Sequence, residues 1–198
     1  MKKIILFAFA MAFVLVACNS NTDKPKDTKT EKEITSTEQI AEKSDSTSIP
    51  MVASTDFSIK EIVSNYLKLK NVLTKDDTKN AAAAGNDLVA NLAALNANSL
   101  PEAQKKVFTD VADDAKEHAE HIGTNAGKLD HQREHFAMLS KDVNDLINTF
   151  GAGQKLYQDF CPMYNDGKGA IWISETKEIK NPYYGSKMLT CGSVKKEW

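Results

Sequence analysis

Between Ile59 and Phe150, apolar residues recur every three or four positions in four separate runs. That period matches the 3.6-residue turn of an α-helix and not the two-residue repeat of a strand. The first run holds Ile59, Ile62, Val63, Tyr66, Leu69 and Leu73, and the second Leu88, Val89, Leu92 and Leu95. Between them, "TKDDTKN" offers Asp and Thr as helix caps. The third run follows Ser99 and Glu102, set at capping-box spacing around Pro101, and continues through Val107, Val111, Ala115, Ala119 and Ile122. The fourth spans Leu129, Phe136, Leu139, Val143, Leu146 and Phe150 and stops at Gly151. Short connections between such helices favour antiparallel neighbours. "AAAAG" at 81–85 gives the second helix a small-residue face suited to close packing.

From Leu156 the period changes. "LYQDFCPMYNDGKGAIWIS" reads as two short extended pieces around the turn signal Asn165-Asp166-Gly167, and a further turn is marked by Asn181-Pro182. The expected fold is therefore mainly α, an antiparallel four-helix bundle with a small C-terminal β-containing cap. It occupies residues 55–198 as one domain with its own core.

Residues 1–17 read as an export signal: Lys2 and Lys3, then thirteen apolar residues from Ile4 to Val16. The run is too short to span a bilayer, which takes roughly 20 residues. Leu15-Val16-Ala17-Cys18 resembles a bacterial lipobox, which implies lipidation of Cys18, and several acyl chains hold a protein firmly on a membrane without spanning it. The other reading is ordinary secretory cleavage with Cys18 left as a free thiol. Residues 18–54 would then be the lipidated cysteine and a tether. The 36 residues from Asn19 to Ser54 are dominated by Lys, Asp, Glu, Ser and Thr, too polar to offset their ordering entropy.

Loss of Lys2 and Lys3 would leave 23 basic side chains against 27 acidic ones, a net of −4. The charges alternate in sign along the chain, with no basic face of the kind that binds nucleic acid. The expected location is the cell envelope, on a membrane facing the periplasm, the outer membrane foremost.

Two constellations could carry chemistry. In the first, Cys161 and Met163 stand at i and i+2, on one side of an extended segment, and Met188 and Cys191 at i and i+3, on one side of a helical turn. If the segments meet, two thiolates and two thioethers converge, a donor set that selects soft ions and Cu(I) above all. The alternative is a Cys161–Cys191 disulfide, usual in an oxidising compartment, with the methionines as core filler.

In the second, all four histidines lie in "HAEHIGTNAGKLDHQREHF". His118 and His121 are at i and i+3, and His131 and His135 at i and i+4, with Met138 a further turn along. The turn near Thr124 to Gly127 brings both pairs to one end of the bundle, where imidazoles suit Zn(II), Cu(II) or Cu(I). His118 also falls near the apolar stripe and can be read as a packed core residue.

Catalysis would need an activated nucleophile with a positioned base. Cys161 and a histidine could supply them, but no strand-turn-helix elbow or carboxylate pair accompanies them, and the chain reads as non-enzymatic. "NDGKG" lacks phosphate-loop spacing.

Cys-Pro-Met at 161–163, the strand Gly169-Ala170-Ile171-Trp172, the turn Asn181-Pro182-Tyr183-Tyr184-Gly185 and the ending Met188-Leu189-Thr190-Cys191-Gly192 occur in this order. They resemble a domain family of unknown function found in exported Gram-negative lipoproteins and appended to periplasmic adaptors of copper and silver efflux pumps. "AEHI" and "HQREHF" followed by "LS" resemble its helical part, so the likeness is expected to cover about residues 57–197. It implies Cys161, Met163, Met188 and Cys191 as metal ligands, with His121, His131 and His135 second and Trp172, Tyr183 and Tyr184 as framing aromatics. It also implies copper as cargo and an efflux adaptor or exporter as partner. The hairpin and barrel segments of an adaptor are missing, so the chain would be a free-standing lipoprotein version of the module. The competing reading is a disulfide-stapled envelope interaction module that binds no metal.

Overall fold

The computed structural model describes residues 57–198, so the signal, Cys18 and the tether lie outside the described residues. Four helices, α1 (Lys60–Leu73), α2 (Thr78–Ala94), α3 (Glu102–Thr124) and α4 (Leu129–Phe150), form the bundle. Consecutive helices pack on one another. Three strands, β1 (Tyr157–Cys161), β2 (Ala170–Ser174) and β3 (Ser193–Glu197), make an antiparallel sheet in the order β2-β1-β3. A mainly α bundle with a small β cap is thus the fold. No helix among the described residues is long and apolar enough to cross a membrane.

Asp77 caps α2 as its position suggests, its carboxylate accepting from Asn80 N at 3.0 Å. The capping box expected at α3 does not form. Pro101 holds the N-cap position, and Ser99 ends a short 3-10 turn instead. The buried stripe of α3 follows Ala115, Ala119 and Ile122 as expected, but in its first half it runs through Phe108 and Ala112 in place of Val107 and Val111, leaving Val107 exposed. Towards its C-terminal end α3 meets α2 closely. A methyl group at Gly85 would lie 2.9 Å from both Ala119 O and Gly123 N, so small residues line both helices where their backbones meet.

The sheet closes the bundle through β2, which packs on α1 and α4 with Trp172 and Ile173 fully buried. Tyr66 of α1 sits at that junction. Its hydroxyl lies 2.7 Å from Ser140 Oγ and accepts from Ile173 N at 3.0 Å, so a buried polar group is satisfied from α4 and β2 together. Lys70, 1% exposed, reaches Glu175 at 2.8 Å just after β2. Burial opposes ionisation of Glu175, yet hydrogen bonds from Lys70 and Asn71 hold it below the usual carboxylate range.

One arginine fastens three parts of the chain. Arg133 of α4 donates from Nε to Pro182 O at 2.7 Å in the cap and from Nη2 to Leu73 O at 3.2 Å at the end of α1. It also pairs with Asp76 in the α1–α2 turn. Asp76 in turn accepts from the backbone and side chain of Ser186. Gly185 lies against this junction with φ +52°, and a methyl group there would meet both Asp76 and Arg133.

Strand β3 has no counterpart in the sequence reading. It pairs with β1 along an outer edge, with a bulge between Gln158 and Asp159. Strand β1 buries Tyr157, Asp159 and Cys161 on its inner face.

Candidate metal centre

The histidine cluster is built by the α3–α4 hairpin. His118 and His121 ride the last two turns of α3, and His131 and His135 the first two turns of α4. The connection is short. Lys128 N donates to Asn125 O at 3.1 Å, Asn125 Nδ2 donates back to His121 O at 2.8 Å, and Gly127 takes φ +86°, a left-handed conformation that glycine adopts without strain. Gln132, buried between two ligand candidates, donates to Ile122 O at 3.1 Å and Thr78 O at 3.0 Å. It locks the start of α4 to the end of α3.

One ligand nitrogen each from His121, His131 and His135 lies within 4.8 Å of the others. The His121 and His135 rings stack with centroids 4.1 Å apart, and His131 stands edge-on to His135 at 4.5 Å. A tetrahedral ion with metal–nitrogen bonds of about 2.0 Å needs ligand atoms roughly 3.3 Å apart. Ring rotations that draw the nitrogens together by up to about 1.5 Å would meet it, and His131, at 36% side-chain exposure, has room to make one.

The residues therefore fit a borderline ion. Of the two readings of His118, core residue or member of the constellation, the geometry brings it to the cluster, its Nδ1 3.3 Å from Nδ1 of His135.

Electrostatics favours neutral imidazoles here. Burial, followed by the neighbouring His121, His131 and His118, pushes His135 down to about 4, and burial likewise lowers His118. At neutral pH their lone pairs are not held by protons, the state that metal binding requires. Asp142, one turn beyond Met138, moves the other way. Burial, then Asp114 and Asp145, raises it to about 7.

The sulfur constellation is brought together only in part. Cys161 and Cys191 have their sulfurs 3.5 Å apart, Cys161 fully buried and both unpaired. The extended alternation expected to turn Met163 to the same side does not continue. Strand β1 ends at Cys161, the chain turns at Pro162, and Met163 is 54% exposed. Met188 closes a short 3-10 turn and accepts from Cys191 N at 3.1 Å through its backbone carbonyl. Among the described residues, no histidine or carboxylate joins the two cysteines in a group like that of the histidines.

Met163 instead lines a cleft of about 700 Å³ between α4 and the cap, with Met138, Tyr164, Tyr183 and Tyr184. Tyr164 stacks on Tyr183 at 4.3 Å, and the Tyr184 hydroxyl donates to Met163 O at 3.0 Å. Trp172 and Tyr183 are packed in the core. Sequence spacing gave no sign of Tyr164 or Asp142, whose neighbours come from other elements.

No curated protein and no solved structure matches the chain. Residues 62–155, which take in most of the bundle and all four histidines but end before β1 and both cap cysteines, match the model of a family described as protein of unknown function (DUF3347).

Proposed function

We propose that this chain is a non-enzymatic metal-handling lipoprotein, held on a periplasm-facing membrane by Cys18, whose helical hairpin binds a borderline d-block ion, copper foremost, for buffering or transfer. The observation that carries the reading is the convergence of His121, His131 and His135 within 4.8 Å, in an environment that favours the neutral ring of His135. Imidazole donors serve Cu(II) and Zn(II) as well as Cu(I). The thiols of Cys161 and Cys191 offer a second, softer site for Cu(I), with Met163 and Met188 as thioethers in the same cap. A partner receiving the ion would be an efflux adaptor or exporter.

The test is titration of the purified chain with Cu(II) and Zn(II), and anaerobically with Cu(I) after reduction, against competing chromophoric chelators. Stoichiometric binding lost in His131→Ala/His135→Ala supports the hairpin site. Wild-type affinity in that variant removes it.

A second reading has its own support. Cys161 and Cys191 lie 3.5 Å apart while Met163 points to solvent at 54% exposure, the arrangement of a structural pair. The cap would then be a disulfide-stapled interaction module, and no competition for any ion would favour it.

A further inference from the structure

Asp142 Oδ2 is buried with no hydrogen-bond partner, an expensive condition for a carboxylate. The cation-capable group beside it is His118, whose Nε2 lies 4.0 Å away, with both side chains 17% exposed. The other nitrogen of that ring, Nδ1, is the atom 3.3 Å from Nδ1 of His135. Asp142, His118 and His135 thus form one line, which starts at a carboxylate and ends at a ring of the three-histidine group. With both rings neutral and Asp142 ionised, one proton arrangement satisfies it. His118 donates Nε2–H toward Asp142, its Nδ1 accepts, and His135 donates Nδ1–H to it. Nε2 of His135 is then left with its lone pair free.

We infer that Asp142 and His118 are positioning residues for the metal centre, a two-step relay that fixes the tautomer of His135 and presents its Nε2 to a divalent ion. Metal-bound histidines commonly donate their second ring N–H to an outer acceptor, and here a second histidine stands between ring and carboxylate. The anionic end also compensates a dication bound by neutral rings. The inference rests on the three-histidine reading and assigns the hairpin to Zn(II) or Cu(II), leaving Cu(I) to the cysteines.

The test has two readouts on the purified chain. Long-range proton–nitrogen NMR of the metal-free protein should show His135 as the Nδ1–H tautomer in the wild type and a shift toward Nε2–H in His118→Phe. Zn(II) competition titration should show His118→Phe and Asp142→Asn each weakening binding by about 10- to 100-fold, and the double variant by no more than the worse single one. In both variants the absorption of bound Co(II) should keep the intensity of the wild type, because no ligand is lost.

An Nε2–H His135 in the wild type, or Zn(II) affinity unchanged in both variants, overturns the relay while the site stands. A Co(II) spectrum altered in His118→Phe alone makes His118 a ligand and also overturns it. Should the wild type bind no Zn(II), the metal reading fails, and the NMR result alone then decides whether the relay orders His135.

Discussion

The Nδ1 atoms of His118 and His135 stand 3.3 Å apart, one on the penultimate turn of α3 and one on the second turn of α4. Two rings this close cannot both be charged without strong repulsion, so the hairpin favours neutral imidazoles before any ion arrives.

Removing a ligand should cost more than removing a partner of a ligand. We expect His135→Ala to weaken Zn(II) or Cu(II) binding by more than about 100-fold, beyond the range usual for outer residues. Chelator competition measures it, with far-ultraviolet circular dichroism as the control that the helices persist.

The cap cysteines provide a separate prediction. Oxidising them should lower the mass by about 2 Da and close a loop of 30 residues, stabilising the fold by about 3 kcal/mol through loop entropy. A midpoint rise of roughly 10 °C over the reduced protein should follow in thermal melts. Cys191→Ser should abolish the difference between oxidised and reduced samples.

Asp159 should make stability depend on pH. It lies on the inner face of β1, fully buried, with neither carboxylate oxygen hydrogen-bonded. Burial raises it to about 7, with Lys70 opposing and Glu175 adding to the rise. A carboxyl whose folded value exceeds its unfolded one favours the fold fully below about 4, and that contribution is lost as pH rises through 7. Asp159→Asn should therefore gain stability relative to wild type between pH 4 and pH 8, read as a growing difference in urea midpoint. A constant difference would show that Asp159 stays charged throughout.

The Arg133 junction should be intolerant of small changes. Gly185→Ala places a methyl group against Asp76 and Arg133 at a backbone angle that non-glycine residues rarely adopt. We expect a loss of about 2–3 kcal/mol in denaturant melts. Gly127→Ala, with a positive φ but open space around it, should cost less.

Most of the bundle was legible because one-sided burial of a helix writes its period into the chain. The first half of the α3 stripe was misphased, because Val107 and Val111 outweigh Phe108 and Ala112 as an apolar pattern at the same spacing. Strand β3, "SVKKE", left no signal because it is a charged edge strand held by backbone pairing to β1.

The histidines were legible as two helical pairs, since spacings of three and four residues share a side. His118's link to Asp142 was not, because it joins residues on two helices across the hairpin. For the sulfur groups, sequence carried the approach of Cys161 to Cys191 but not the turn at Pro162 that sends Met163 outward.

Arg133 is attached at once to the first interhelical turn, the end of α1 and the cap loop at Pro182. Swinging the cap from α4 would therefore break the Pro182 bond and carry Ser186 off Asp76. The gap holding Met138, Met163 and the tyrosines is thus walled on one side by a cap loop that Arg133 and Asp76 tie to the helices.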